Sequence, residues 1–463
     1  MLATTPDRTF YQNLIKIGLP VSLQSMLFAL LGVTDILMVS QLGEAATAAV
    51  GVGNRIFFFN LIVVCGVSGA VSVLASQYFG AKNMDGVRIT LFQSVFVAIL
   101  VTAPFSLWYA FDLVRVVSIV SDNSDYIALA SDYLWITAST LICTAVCVPL
   151  ESALRAIGQA KLPTQISIYA ILLNLLLNSL LIFGLFGLPE LGVVGAAIGT
   201  AVSRLFQTIL LSAIVIKRFP CLIASKSNIK QANTPVHRGR YFKIGLPMII
   251  HDSAWAGGIL FYNVLIGQLG VTELAIFSLL APIESVLFSA FLGFAVAASV
   301  ILANEIGAQQ YQRVEETAWW YVFISTLAAF SIALLCFAAK PLLLNAISLT
   351  PISDPVMATN TFIIMLFGMG FRVFNMVAIG GVLKSGGDIN YSIFIDLFGQ
   401  WAIGIPLAYF TGIILGWSLE WVIAIVMLEE IAKIFLSTQR IRSKKWINNL
   451  VQEEPNVITK SMA

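Results

Sequence analysis

Charge is what this chain has least of. Lysine, arginine, aspartate and glutamate make up 11% of its 463 residues, against about 25% in an ordinary soluble protein. With 59% hydrophobic residues and a mean hydropathy of +0.91, that shortfall excludes a soluble globular protein and indicates an integral membrane protein. The few charges are spread along the chain, so no large water-soluble domain is concealed in it. Histidine is scarcer still: there are two, and neither belongs to an HExxH arrangement. The five cysteines include no CxxC. Cys143 and Cys147 are four apart, but no neighbouring His or acid completes a metal set, so no metal site is expected. All five read as buried, inert thiols. No basic cluster interleaved with aromatics marks nucleic-acid binding, no GxSxG-type nucleophile appears, and no filter-like loop suggests a channel. An enzyme is not expected.

What the sequence has instead is twelve apolar segments, the first near 14–40, the fourth near 127–150 and the last near 415–437. Each approaches the ~20 residues a membrane-spanning helix requires. The first is too long for a signal-peptide core and lacks a small-residue cleavage site, so it reads as a retained helix. Lysines and arginines concentrate on one side. Arg8, Lys16, Lys82, Arg88, Arg155, Lys161, Arg313, Lys384, the 217–242 linker and the chain from Lys433 all fall there, against Arg115 and Lys340 opposite. Both termini are therefore expected in the cytoplasm.

The linker bisects a repeat. Lys16-Ile17-Gly18-Leu19-Pro20 returns as Lys243-Ile244-Gly245-Leu246-Pro247, an offset of 227. Gln41-Leu42-Gly43 returns as Gln268-Leu269-Gly270, and Gly80-Ala81 as Gly307-Ala308. Six spans per half put both halves in the membrane the same way up, related by an axis along its normal. The expected fold is thus an all-α polytopic membrane protein of two pseudo-symmetric six-helix bundles. Its parts are an N-terminal lobe (1–216), a cytoplasmic linker (217–242), a C-terminal lobe (243–438) and a cytoplasmic tail (439–463).

Polar groups at membrane depth are candidate functional residues, with plain structural pairing as the competing role. Asp35 lies on the first span, beyond Gly18 and Pro20, which remove a side chain and a backbone donor and form a candidate hinge. Asn174 and Asn178 share a face of span five at i, i+4, as Thr200 and Arg204 do on span six. Tyr133 opens span four. These five residues are expected to converge with Asp35, and Arg204 is also a candidate ion-pair partner for it. At the repeat offset Asp35 becomes Tyr262, so the second half lacks the acid. Its own candidates are Asp252, Glu284 and Arg372, with His251-Asp252 a second titrating site and Glu284–Arg372 a possible pair. Asp396 reads as an interfacial residue. Glu429 and Lys433 read as a local i, i+4 pair, with Lys433 reaching the membrane surface.

The twelve spans in two halves, the KIGLP opening of each half and the polar set on spans one, four, five and six resemble the multidrug and toxic compound extrusion (MATE) transporters. Asp35 with asparagines on span five is more similar to the DinF-like branch than to the NorM-like one. The resemblance implies export of organic cations or amphipathic compounds in exchange for inward H⁺ or Na⁺. It also implies that the first-helix acid couples the two, the helix being straight or bent according to its protonation. Asp35 matches that acid, and Tyr133, Asn174 and Thr200 match its neighbours. Asn178 stands where some members carry a second acid, and span ten carries Arg372 instead of an acid. Both departures favour H⁺ over Na⁺. The expectation is a monomeric, multi-pass transporter of a bacterial-type inner membrane, with lipid as its surroundings, no cofactor and no nucleic-acid partner. The alternatives are a Na⁺-coupled drug antiporter and a flippase for lipids or lipid-linked saccharides.

Overall fold

A backbone crossing hydrocarbon must satisfy its own N–H and C=O groups, and a sequence of long apolar runs does so as helices. The computed structural model describes residues 6–113, 115, 124–340 and 354–452. The N-terminal half contains α1 (Arg8–Ser40), α2 (Glu44–Ala70, continued by a π-helical turn Val71–Ala75 and by Ser76–Gly80) and α3 (Met84–Phe111). It is completed by α4 (Ser124–Ala156), α5 (Lys161–Ile182) and α6 (Gly192–Arg218). The C-terminal half contains α7 (Pro235–Leu269), α8 (Val271–Ser289 and Leu292–Gly307), α9 (Tyr311–Ala338) and α10 (Pro355–Asn375, continued by a π-helical Met376–Leu383). In α11 (Ile389–Ile414) α-helical and π-helical segments alternate, and α12 is Leu419–Arg442. Eleven helical stretches among the described residues are long and apolar enough to cross a membrane. The twelfth, α12, has the length but carries Glu429, Glu430 and Lys433 through its middle.

The linker between the halves is more ordered than its polarity suggests. It holds a short helix, Lys226–Ala232, with a capping box between Ser225 and Asn228, and α7 already begins at Pro235. Of the tail, residues 443–452 are described and 453–463 lie outside the described residues.

The first helix of each half packs into the other half's core. Phe10, Leu14, Ile17 and Val21 of α1 share a buried cluster with Ala298, Val300 and Leu302 of α8 and Val314 of α9. Tyr241, Ile244 and Met248 of α7 share one with Val67, Val71 and Leu74 of α2. Glycines set the closeness of these crossings. A Cβ on Gly80 would lie 1.9 Å from the carbonyl oxygen of Asn304, and one on Gly307 would lie 2.0 Å from that of Gln77. Gln77 and Asn304, like Gly80 and Gly307, are related by the 227-residue offset, so the two contacts are one contact repeated about the pseudo-twofold axis. Gly293 meets the Gly18 carbonyl in the same way at 2.0 Å. Gly18 is therefore a helix-packing glycine, and α1 is a continuous helix through Pro20.

These contacts lie at the end of the molecule rich in lysine and arginine, and the segment after α12 crosses them. The Gln77 amide of the N-lobe donates to the carbonyls of Ser385 (3.0 Å) and Asn448 (3.1 Å) and accepts from the Leu450 N–H (2.8 Å). Trp446 of this segment is buried, and its carbonyl oxygen would lie 1.9 Å from a Cβ on Gly386.

Forcing a side chain into either glycine contact should separate the lobes. Gly80→Val and Gly307→Val are expected to destabilise to a similar degree, by about 1–3 kcal/mol or more for an overpacked contact. Gly51→Ala, whose Cβ would meet nothing within 4 Å, should leave thermal unfolding in detergent unchanged or raise its midpoint slightly, because it removes helix-interior glycine. Equal melting of all three variants would contradict this account of the interface.

Candidate functional site

Asp35 sits in the last turns of α1, half-buried. Its Oδ1 accepts a hydrogen bond from Asn178 Nδ2 at 2.9 Å. The same Nδ2 approaches Asn174 Oδ1 at 3.3 Å, and Asn174 Nδ2 donates to Thr200 Oγ1 at 3.4 Å. The two asparagines are buried on one face of α5, and Gly199 of α6 makes their room: a Cβ there would lie 2.2 Å from Asn178 Oδ1. That oxygen is buried and has no hydrogen-bond partner among the described residues. Asn178 therefore offers Asp35 a donor in use and an acceptor held free.

Tyr133 is buried beside this group in a space left by Gly53, but its hydroxyl donates to Asn54 Oδ1 (3.2 Å) instead of to Asp35. Arg204 makes no ion pair with Asp35. Its guanidinium lies over the rings of Phe28 and Phe57, 5.0 and 5.6 Å from their centroids, and donates to Gln207 Oε1 at 3.2 Å. The structure thus brings Asp35, Asn174, Asn178 and Thr200 into one chain of contacts, with Tyr133 and Arg204 at its edges.

Towards the basic end of the same lobe lies a second polar group, built around Glu151. Its carboxylate accepts from Arg155 (2.7 Å), Gln24 (3.0 Å), Gln207 (3.1 Å) and Ser167 (3.3 Å). Gln24, Ser167 and Gln207 are buried on α1, α5 and α6. Ending span four at 150 excludes Glu151 by one residue, whereas α4 continues to Ala156. The i, i+4 spacing of Glu151 and Arg155 was the available signal.

The C-lobe is more heavily charged. Glu284 of α8 and Arg372 of α10 do pair, and Arg372 also lies 3.9 Å from Glu430. Glu430 in turn accepts from Asn375 at 2.8 Å. A small apolar cleft lined by Leu280, Phe362, Met365 and Met369 opens beside Glu284. Tyr262, the counterpart of Asp35, donates to Glu429 at 2.5 Å. Asp252 packs against His251 (2.7 Å) and Lys384 (3.7 Å).

Three sequence expectations are corrected here. Asp396 is not interfacial: its carboxylate contacts His251 Nε2 at 2.6 Å and Lys433 at 3.8 Å. Lys433 does pair with Glu429 at 2.5 Å, but it is buried between α11 and α12 instead of reaching the surface. Its space comes from Gly399, where a Cβ would lie 2.4 Å from Lys433 Cε. Of the cysteines only Cys147 is buried. Cys65 is exposed and the other three are half-buried, all five as free thiols.

The comparisons with known proteins agree with this architecture. The MatE family profile matches residues 20–180 and again 247–410, the two matches starting 227 residues apart. The chain is 26% identical over 457 residues to the "Uncharacterized transporter YisQ" of Bacillus subtilis (strain 168), covering 95% of this chain and 96% of that protein. It is 24% identical over 420 residues to the "Probable multidrug resistance protein NorM" of Bacillus cereus, covering 89% and 90%. Among solved structures it resembles an outward-facing conformation of a multidrug resistance MATE family transporter of the MOP superfamily, with a TM-score of 0.83 at 16% identity, covering 94% of this chain and 97% of that one. A MATE structure in the bent conformation matches with a TM-score of 0.82 at 16% identity, covering 94% and 96%. The fold, the duplicated profile and the full-length relatives lead to one conclusion: this chain is a multi-pass membrane protein of the MatE family, the MATE transporters.

Proposed function

We propose that this transporter is a proton-coupled antiporter, and that it exports organic cations or amphipathic compounds from the cytoplasm across a bacterial inner membrane. The observation that carries the reading is the Asp35–Asn178 pair. An ionised carboxylate accepts only, whereas a protonated one also donates. Asn178 serves the first form through Nδ2 and has the unpartnered Oδ1 ready for the second. An acid at membrane depth that must gain and lose a proton needs such a neighbour, because a polar group left unpaired in hydrocarbon is costly. Neutral oxygens surround the pair, and no second acid joins Asp35 there among the described residues. That supports H⁺ over Na⁺, whose binding is favoured by several anionic oxygens. The likeness of Asp35 and its asparagines to the DinF-like branch points the same way.

In this reading, protonation of Asp35 from outside exchanges the bond it accepts for one it donates. The rearrangement is transmitted along α5 through Asn174 to Thr200, and along α1 towards Pro20. At Pro20 the missing backbone donor makes α1 easiest to bend. Bending narrows the N-lobe space beside Phe28 and Phe57 and expels substrate. The two lobes then rock about the glycine contacts to exchange access.

Cells lacking their own efflux pumps and expressing Asp35→Asn at wild-type level are expected to export ethidium at least about tenfold more slowly, the scale of a lost coupling free energy of 1–3 kcal/mol. Undiminished efflux would end the proposal. In proteoliposomes, a pH gradient acid on the side opposite the basic end should drive ethidium movement with no Na⁺ present. Movement driven by a Na⁺ gradient alone would transfer the coupling to Na⁺.

A further inference from the structure

We infer that the C-lobe holds a proton-binding site of its own, at the imidazole of His251 between Asp252 and Asp396. The argument is one of donors and acceptors, and it is independent of the role given to Asp35. Both ring nitrogens of His251 face carboxylate oxygens: Nδ1 lies 2.7 Å from Asp252 Oδ1 and Nε2 lies 2.6 Å from Asp396 Oδ2. A neutral imidazole has one donor and one acceptor, and an ionised carboxylate has acceptors only. One of the two contacts would then set acceptor against acceptor at hydrogen-bond distance inside a protein. An additional proton removes the conflict. It resides on the imidazole, which is ordinarily more basic than a carboxyl group by roughly 2–3 pH units. The histidine is buried, so water does not relieve the conflict in its place.

The surrounding charges support the assignment. On α7 the neighbour is Asp252, at the end of α10 Lys384, on α11 Asp396, and on α12 Lys433 with Glu429 behind it. Across the lobe interface, Cys65 of α2 faces the group, with Glu151 and Arg155 of α4 beyond it. Lys384 Nζ lies 3.3 Å from Nδ1 and 3.7 Å from Asp252 Oδ1. The shorter Asp252 contact determines the ring's role, and the lysine serves the same carboxylate.

Asp252, Asp396 and Glu429 lie in one connected cluster with His251, Lys384 and Lys433. Its carboxylates outnumber its fixed cations, and a proton on His251 reduces the excess. Gly399 makes room for Lys433, and a Cβ on Gly404 would lie 2.0 Å from both Glu429 Oε2 and the Tyr262 hydroxyl. Beside α11 the contacts continue from Asp396 to Lys433 at 3.8 Å and from Lys433 to Glu429 and Tyr262, where π-helical segments interrupt the regular ladder, as they often do at functional sites. One turn beyond Asp396, the buried Oε1 of Gln400 is a further acceptor without a partner among the described residues.

The chain has only two histidines, which makes the site observable directly. In the His237→Gln variant, labelled with [¹⁵N]histidine and held in lipid nanodiscs, every imidazole signal comes from His251. At neutral pH both ring nitrogens are expected to carry hydrogen, each with its one-bond N–H coupling. Asp396→Asn should convert the ring to the neutral form with a single N–H, and Asp396→Glu should retain the doubly protonated ring. A ring nitrogen without hydrogen in the His237→Gln protein, or a doubly protonated ring that persists in Asp396→Asn, would overturn the proposal. The measurement involves no transport, so the coupling role of Asp35 can fail without affecting it.

Discussion

A polar side chain placed in hydrocarbon has to find its partners inside the protein, and that requirement positions the charged groups at the centres of both lobes. The cost of an unpaired group at membrane depth is several kcal/mol by most measures. The two lobes meet it differently. Besides the Glu151–Arg155 pair, the N-lobe holds Asp35, an acid supported by neutral amides and hydroxyls that can change their roles as donor and acceptor. In the C-lobe, acids and bases pair in two groups spread over α7, α8, α10, α11 and α12. The first arrangement suits a group whose charge changes. The second suits charges that stay, with His251 as the member whose proton can move.

Glycine is the device that makes both arrangements fit. Gly199 and Gly53 leave space for Asn178 and Tyr133, Gly399 for Lys433, and Gly404 for Glu429 with Tyr262. At the basic end the same residue type lets backbone touch backbone, where Gly80 and Gly307 meet Asn304 and Gln77. Small residues at helix crossings in a membrane bring helices close enough for dispersion forces to hold them, since no hydrophobic effect acts between helices there. The duplicated ancestor is legible in these spacings: packing was kept in both halves while the titratable chemistry diverged.

Much of this could be read from the chain. Hydropathy located the helices, the 227-residue offset paired the halves, and i, i+4 spacing placed Asn174 with Asn178 and Thr200 with Arg204. Helix ends were less legible, because apolar runs stop where the helices continue. Glu151 was missed for that reason, one residue past the apparent end of a span that extends to Ala156. Asp396 and Lys433 lie near the ends of their apolar runs, where a charge reads as interfacial. Their burial depends on α7 and α12 packing against α11, and His251 and Asp396 are 145 residues apart. Side-chain spacing along one helix carries no record of such a partner. Nor does it record that Arg204 would lie over Phe28 and Phe57 in place of pairing with Asp35.

The segment after α12 has a bearing on how the molecule is made. Gln77, near the end of the second helix, waits for the carbonyl of Asn448 and the N–H of Leu450. Those groups are synthesised after all twelve helices, and domains generally fold in order as the chain emerges. The Gln77 bonds at the basic end are therefore made only after the helices of both lobes have been synthesised, by residues that take no part in crossing the membrane.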